Sequence, residues 1–143
     1  MIPAHLRIGS LEILAVLGAF AVLAMRTRAE PPEPPRPYTV HMTIHDTPAR
    51  GGRRDTDVRL RPGEEAVIGR ASDAEIGLLD PEVSRRHAVV SLEGGVVYIA
   101  DAGSSNGTFL NGRPVRKDAI ELRAGDLVDV GTTRMTVNEI TPS

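Results

Sequence analysis

Three short blocks of polar residues have side chains suited to binding an anion. They are Gly69-Arg70, Ser84-Arg85-Arg86-His87 and Ser104-Ser105-Asn106-Gly107-Thr108. An arginine fork can hold a phosphate group through paired, charge-assisted hydrogen bonds. Serine and asparagine can bond the remaining phosphate oxygens and an adjacent main chain. These residue types therefore indicate recognition of an anion, and not its chemical conversion.

Ser84 and His87 also suggest a catalytic interpretation, in which the imidazole would be the base for a serine nucleophile. No acid partner or nucleophile elbow accompanies them, and their spacing along a turn does not by itself align a base on a hydroxyl. The chain contains no GxxxxGK phosphate loop and no HExxH. We therefore expect that the protein is not an enzyme, and a hydrolase acting through these two residues is the weakest alternative.

The composition narrows the remaining classes of protein. The chain of 143 residues has room for one domain and an appendage, but not for two full domains. Its net charge of -2 argues against a nucleic-acid binder that relies on general phosphate attraction. Because it has no cysteine, it cannot form a disulfide or a cysteine-ligated zinc site. His41 and His45 lie on one side of a predicted strand but lack a third ligand, so no metal or cofactor is expected.

The N-terminal part of the chain carries a long apolar segment. Residues 8–25 have an almost unbroken apolar sequence, long enough to approach the thickness of a bilayer core. We expect residues 1–28 to form a hydrophobic helix that is a single transmembrane anchor. A cleaved signal peptide and a helix lying on the membrane surface are the alternatives. The arginines that follow the span outnumber Arg7 before it, so the positive-inside rule predicts a cytoplasmic C-terminal domain.

The sequence changes character twice after this segment. Residues 29–37 are rich in proline, which predicts a semi-rigid spacer in polyproline II geometry. From residue 38 onward, short runs such as Thr39–His45 and Val58–Arg61 alternate between apolar and polar residues, with Gly-Gly, Asn-Gly and Pro-Gly pairs between the runs. This pattern predicts an all-β, antiparallel β-sandwich over residues 38–143. Aromatic residues are only 3% of the chain, so its core must be aliphatic.

The order GR, then SRRH, then SSNGT followed by NG resembles the forkhead-associated (FHA) domain family. The resemblance extends roughly from Tyr38 to Thr141, with the blocks in the family's order and approximate spacing. The family has a β-sandwich fold and binds phosphothreonine peptides. The resemblance therefore implies the same fold class as the strand pattern, and a partner that contains phosphothreonine.

The resemblance assigns the phosphopeptide-binding residues by position. It implies that Arg70 contacts the phosphate, that the Ser84 hydroxyl donates to a phosphate oxygen, and that Arg85 is a further side chain facing the phosphate. Ser105 and Asn106 correspond to positions that hold the loop and the peptide main chain beside the phosphorylated residue.

A second group of residues is expected to shape the site without contacting the phosphate. Gly69 is expected to serve the backbone, His87 to brace the loop, and Thr108 to pack beneath it, with Asp101 capping the loop. The Asn111-Gly112 pair predicts a type I′ hairpin turn. The structural residues of the motif are Gly69, His87, Gly107, Thr108, Asn111 and Gly112.

The expected function is that of a membrane-tethered phosphothreonine-binding adaptor in Ser/Thr kinase signalling. Its partner would be a phosphothreonine-containing protein, such as a Ser/Thr kinase or its substrate. The charge of Glu82 is expected to disfavour acidic residues downstream of the phosphothreonine or to attract basic ones. The alternative is a phosphate-independent structural interaction module of a membrane-associated assembly.

Overall fold

Short strands joined by tight turns make up most of residues 33–143, the part of the chain that the computed structural model describes. These residues form eleven β-strands and one short 3-10 helix, Pro48–Arg50. The strands are β1 (Tyr38–His45), β2 (Arg54–Leu60), β3 (Glu65–Gly69), β4 (Ile76–Gly77), β5 (Ala88–Glu93), β6 (Val96–Asp101), β7 (Thr108–Leu110), β8 (Arg113–Val115), β9 (Ile120–Glu121), β10 (Leu127–Val130) and β11 (Thr133–Pro142).

The N-terminal expectations fall mainly on residues that the structure does not describe. The apolar segment 8–25, the whole predicted helix 1–28 and residues 29–32 of the predicted spacer lie outside the described residues. From residue 33 onward, no helix is long and apolar enough to cross a membrane.

The strands pair into two sheets that pack face to face. One sheet has six strands in the order β2-β1-β11-β10-β7-β8, and the other has five in the order β4-β3-β5-β6-β9. The all-β sandwich predicted from the alternation is therefore confirmed. One pair differs from the antiparallel expectation, since β4 runs parallel to β3 over Ile68–Gly69 and Ile76–Gly77.

Aliphatic side chains fill the space between the sheets, as the low aromatic content predicted. The alternation places every second residue of β1, β3, β5 and β6 inward, which is the period of a strand with one buried face. Two methionines, Met42 and Met135, join the valines, isoleucines and leucines of the core. The partly buried Tyr38 packs at its margin.

Strand register brings three loops to one end of the five-stranded sheet. Ala88, the first residue of β5, pairs with Ile68 near the end of β3 and with Asp101 at the end of β6. The loops that follow β3, precede β5 and follow β6 therefore meet there. These loops contain the three polar blocks singled out from the sequence.

Candidate functional site

Arg70 is fixed to the neighbouring loop at its inner end and exposed at its outer end. Its main-chain N–H donates to the Ser84 carbonyl at 3.0 Å, and its Nε donates to the Val83 carbonyl at 3.1 Å. The two terminal nitrogens of the guanidinium have no hydrogen-bond partner among the described residues. The side chain is therefore oriented by the protein, while its fork remains open to an anion.

Gly69 allows the two backbones beneath the arginine to approach closely. A Cβ atom at this position would lie 2.1 Å from the Arg85 carbonyl oxygen and 3.1 Å from that of Ser84. Both carbonyls accept main-chain hydrogen bonds, from the Ala71 N–H to Arg85 at 3.1 Å and from the Arg70 N–H to Ser84 at 3.0 Å. The glycine therefore serves close backbone packing, with a φ outside the left-handed region.

Ser84 and Ser105 join the loop before β5 to the loop after β6. The main-chain N–H of Ser105 donates to the Ser84 Oγ at 3.0 Å. Because the oxygen accepts this bond, the hydroxyl proton of Ser84 remains available to donate. Within residues 33–143, no protein acceptor takes that proton, and the Ser105 side chain is exposed.

His87 is fully buried between the same two loops. Its Nδ1 accepts the main-chain N–H of Ser84 at 3.0 Å, so the ring proton lies on Nε2, which donates to the Gly107 carbonyl at 2.8 Å. Both ring nitrogens are therefore committed to the main chain, and neither bonds the Ser84 hydroxyl. This geometry argues against the hydrolase alternative, which requires the imidazole to accept the serine proton.

A cluster of short polar side chains shapes the loop after β6. The Asp101 carboxylate accepts hydrogen bonds from the N–H groups of Gly103 and Ser104 and from the hydroxyls of Ser104 and Thr108, at 2.6 to 3.0 Å. Burial would raise the pKa of Asp101, but these hydrogen bonds outweigh it and lower the pKa below its usual value. The Ser104 hydroxyl also accepts the Gly107 N–H at 2.9 Å.

Asn106 ties this loop to the one that carries Ser84. Its Nδ2 donates to the Glu82 carbonyl at 2.8 Å and to the Glu82 Oε2 at 2.9 Å. The Oδ1 of Asn106 accepts no hydrogen bond from the described part of the protein. The amide therefore presents a free acceptor to solvent, while its donors are taken up internally.

Arg85 takes part through its main chain more than through its side chain. Its guanidinium is exposed, and no partner for it is found in residues 33–143. It borders a shallow cavity beside the site together with Ala71, Ala74 and Arg86. The structure thus brings Arg70, Ser84, Ser105 and Asn106 into one hydrogen-bonded arrangement, with Arg85 at its edge.

The Asn111-Gly112 turn lies outside this arrangement. Both residues have positive φ, 50° and 78°, as a type I′ turn between β7 and β8 requires. The Asn111 side chain also donates to Asp126 and accepts the Leu127 N–H, each at 2.9 Å. The turn therefore ties the β7–β8 hairpin to β10, and does not contact the three loops.

Asp80 is a site-supporting residue that the sequence analysis missed. Its buried carboxylate accepts hydrogen bonds from the N–H of Glu82, from the N–H and hydroxyl of Thr132, and from the hydroxyl of Thr133. Burial would raise the pKa of Asp80, yet these bonds lower it from 3.8 to about 2. The Asp80-Pro81 pair is a local turn signal, but the threonine partners follow 52 and 53 residues later, without a sequence signal.

Comparison with solved structures finds close counterparts of the sandwich. A domain from a structural and functional analysis of phosphothreonine-dependent FHA domain interactions is 33% identical, with a TM-score of 0.60; the match covers 71% of this chain and 96% of that domain. The FhaA FHA domain, solved in complex with the intracellular domain of Rv3910, is also 33% identical, with a TM-score of 0.59 and coverage of 69% and 99%.

Sequence comparison gives the same result over the central part of the chain. A family model described as the FHA domain matches residues 66–131. The glycogen accumulation regulator GarA of Mycolicibacterium smegmatis is 48% identical over 67 residues, which are 47% of this chain and 41% of GarA. The similarity to this relative thus spans less than half of its length.

Proposed function

The chain belongs to the forkhead-associated (FHA) domain family, and from that premise we propose that it binds phosphothreonine peptides at the end of the sandwich where Arg70, Ser84 and Asn106 meet. Domains of this family are phosphopeptide-recognition modules and not enzymes. The observation that carries the proposal is the set of unused groups at this site. The Arg70 fork, the Ser84 hydroxyl proton and the Asn106 Oδ1 all lack a protein partner within the described residues.

These unused groups match the chemistry of a phosphorylated peptide. A phosphothreonine carries about -1.5 to -2 charges and strong acceptor oxygens, which suit a guanidinium fork and a hydroxyl donor. The Asn106 Oδ1 can accept an N–H from the peptide main chain, whatever the peptide's side chains are. The hydrogen bonds of Arg70, Ser84 and Asn106 to neighbouring loops hold the three side chains in place before the ligand arrives.

Binding of the full-length chain to a degenerate phosphothreonine peptide library tests the proposal, with phosphoserine and unphosphorylated libraries alongside. We expect Arg70→Ala to weaken phosphothreonine binding by about 2–5 kcal/mol, because one side of a close charged pair is removed. Fluorescence anisotropy with a selected peptide measures the loss.

Arg59→Ala is the matched control, since Arg59 is an exposed arginine on β2, an edge strand of the other sheet. We expect this variant to bind as the wild type does. A folded protein that binds partners equally well with and without phosphate would refute the proposal and favour the structural interaction module.

We further propose that the domain is tethered to the inner face of a membrane, where it recruits a Ser/Thr kinase or its substrate. The support is the apolar sequence of residues 8–25 and the excess of arginine that follows it. We expect the full chain to sediment with membranes and to resist carbonate extraction, and a chain lacking residues 1–28 to stay in the supernatant. Protease added to sealed cells should leave the sandwich intact, and digestion of it there would exclude this orientation.

A further inference from the structure

Glu82 accepts hydrogen bonds from the side-chain amide of Asn106, the group that is expected to hold the peptide main chain. A side-chain amide has two N–H groups, and those of Asn106 face the main-chain carbonyl and the carboxylate of Glu82. Asn106 can therefore accept from a peptide N–H at once, but it must break an existing bond before it donates to a peptide carbonyl.

The carboxylate is the partner that can move away. The main chain of Glu82 is fixed, because its N–H donates to Asp80 at 3.0 Å and the next residue, Val83, donates to the Asp80 carbonyl at 3.0 Å. The side chain of Glu82 is exposed and makes this single hydrogen bond among the described residues. A ligand that competes for the Asn106 amide therefore displaces the carboxylate and leaves the carbonyl bond in place.

The displaced group is also a negative charge at the edge of an anion-binding site. Val83, which follows Glu82, supplies the carbonyl that orients Arg70. A basic side chain on the ligand would attract the carboxylate and favour its release from Asn106. An acidic side chain would repel it and add to the charge that opposes the phosphate.

We propose that Glu82 makes this site select phosphopeptides that carry a lysine or arginine within about three residues of the phosphothreonine, since an extended peptide advances ~3.3 Å per residue. The basic side chain pairs with the carboxylate and thereby frees an N–H of Asn106 for the peptide main chain. This inference rests on the proposed phosphothreonine binding and specifies the ligand of the same site.

The test compares one phosphothreonine peptide with lysine, alanine or glutamate placed singly at each of three positions on either side of the phosphorylated residue. With the wild type, we expect the lysine peptide to bind roughly two- to fivefold tighter than the glutamate peptide at one or more positions, the upper part of the range of an exposed charge pair. Equal affinities at every position, with phosphate dependence intact, would overturn the inference and leave the proposed function standing.

Two substitutions at Glu82 separate its charge from its hydrogen bond. Glu82→Gln keeps an acceptor for Asn106 but removes the charge, so the preference for lysine should disappear while the alanine peptide binds about as before. Glu82→Ala leaves an Asn106 N–H free, so the alanine peptide should bind several-fold tighter. Glu93→Gln, at the opposite end of β5, changes the net charge equally and should keep the wild-type preference.

The Asn106 side-chain amide gives a readout that a purely structural role for Glu82 would not change. Its two proton resonances should shift when the wild type binds the lysine peptide, and one should already be shifted in unliganded Glu82→Ala. Retention of the lysine preference in Glu82→Gln would overturn the inference. If the wild type binds no phosphopeptide at all, the proposed function fails and the inference fails with it.

Discussion

Arg70 depends on the absence of a side chain at the residue before it. Its N–H bond to Ser84 and the bond from Ala71 to Arg85 require the β3 end and the loop before β5 to pack backbone to backbone. Any Cβ at Gly69 would overlap the Arg85 carbonyl, which is main chain and cannot rotate away. The geometry of the proposed phosphate site thus depends on a residue that has no side chain to contact a ligand.

We therefore expect Gly69→Ala to destabilise the domain by at least about 1–3 kcal/mol, the usual cost of overpacking a closely packed region. Thermal unfolding monitored by circular dichroism measures this change. Gly77→Ala is the matched control on neighbouring β4, where an added Cβ would meet nothing closer than the Ala74 carbonyl oxygen at 3.9 Å. Equal melting temperatures for the two variants would contradict the packing argument.

At the scale of elements, the buried carboxylate of Asp80 anchors the loop before β5 to other parts of the fold. Asp80 receives bonds from Thr132 and Thr133 at the start of β11, and Arg50 lies 3.1 Å from the same carboxylate. Arg50 also donates to the Thr132 hydroxyl at 2.7 Å. The 3-10 helix after β1, the loop carrying Ser84 and the β10–β11 turn are thereby joined at a single group.

The low pKa of Asp80 predicts how stability changes in acid. Its pKa is about 2 in the folded protein and 3.8 ordinarily, so the unfolded chain binds the proton more readily. The stabilisation is present above pH 4 and is lost as the pH falls through 2. We expect Asp80→Asn to lose on the order of 2 kcal/mol at pH 5.

Urea denaturation at a series of pH values between 5 and 2 checks this prediction. The difference between the wild type and Asp80→Asn should narrow as the pH falls, and the exposed Asp118→Asn should follow the wild type throughout. Asp101, whose pKa is also lowered, leaves some acid sensitivity in both proteins. A gap between wild type and Asp80→Asn that stays constant down to pH 2 would refute the assignment.

Regular alternation made most strands predictable from the sequence, whereas a strand that depends on a long-range contact was not. β1, β5 and β6 have one aliphatic face and end at turn residues, so their period is visible locally. β8 has only three residues and includes Pro114, so it shows no period of its own. It forms because β7 presents an edge with which it can pair, and no local pattern reveals that edge.

The site also combines residues that the local sequence reveals with contacts that it does not. Arg70, Ser84 and Asn106 stand in recognisable blocks, and the structure joins them. The contacts of Asp80 with Thr132 and of Asn106 with Glu82 connect residues 52 and 24 positions apart. These long-range contacts depend on the register of the folded sheets, so the sequence alone does not reveal them.

On the scale of the whole molecule, the site is supported by both sheets. β3, β5 and β6 of the five-stranded sheet lead into its loops, while Thr108 on β7 and Thr133 on β11 bind the supporting carboxylates from the six-stranded sheet. Unfolding of either sheet would therefore dismantle the site. A ligand of this site must bind the folded domain and not the unfolded chain.

Phosphopeptide should accordingly stabilise the whole domain. At a free peptide concentration 100 times Kd, we expect about 2.7 kcal/mol of added stability, a rise in Tm of roughly 10 °C. Differential scanning fluorimetry with phosphorylated and unphosphorylated forms of one peptide measures the shift. Arg70→Ala should lose most of the shift, and a shift produced equally by both peptides would point to binding elsewhere.

The buried histidine just before β5 fixes the main chain of this site and leaves its exposed side chains free to vary. His87 bonds only main-chain atoms of the two loops, so it fixes their spacing without depending on the side chains they display. Glu82 and Arg85 stand exposed above that frame. Single substitutions at these exposed positions can therefore change which partner such a domain selects, while the loop spacing that the proposed phosphate binding requires stays the same.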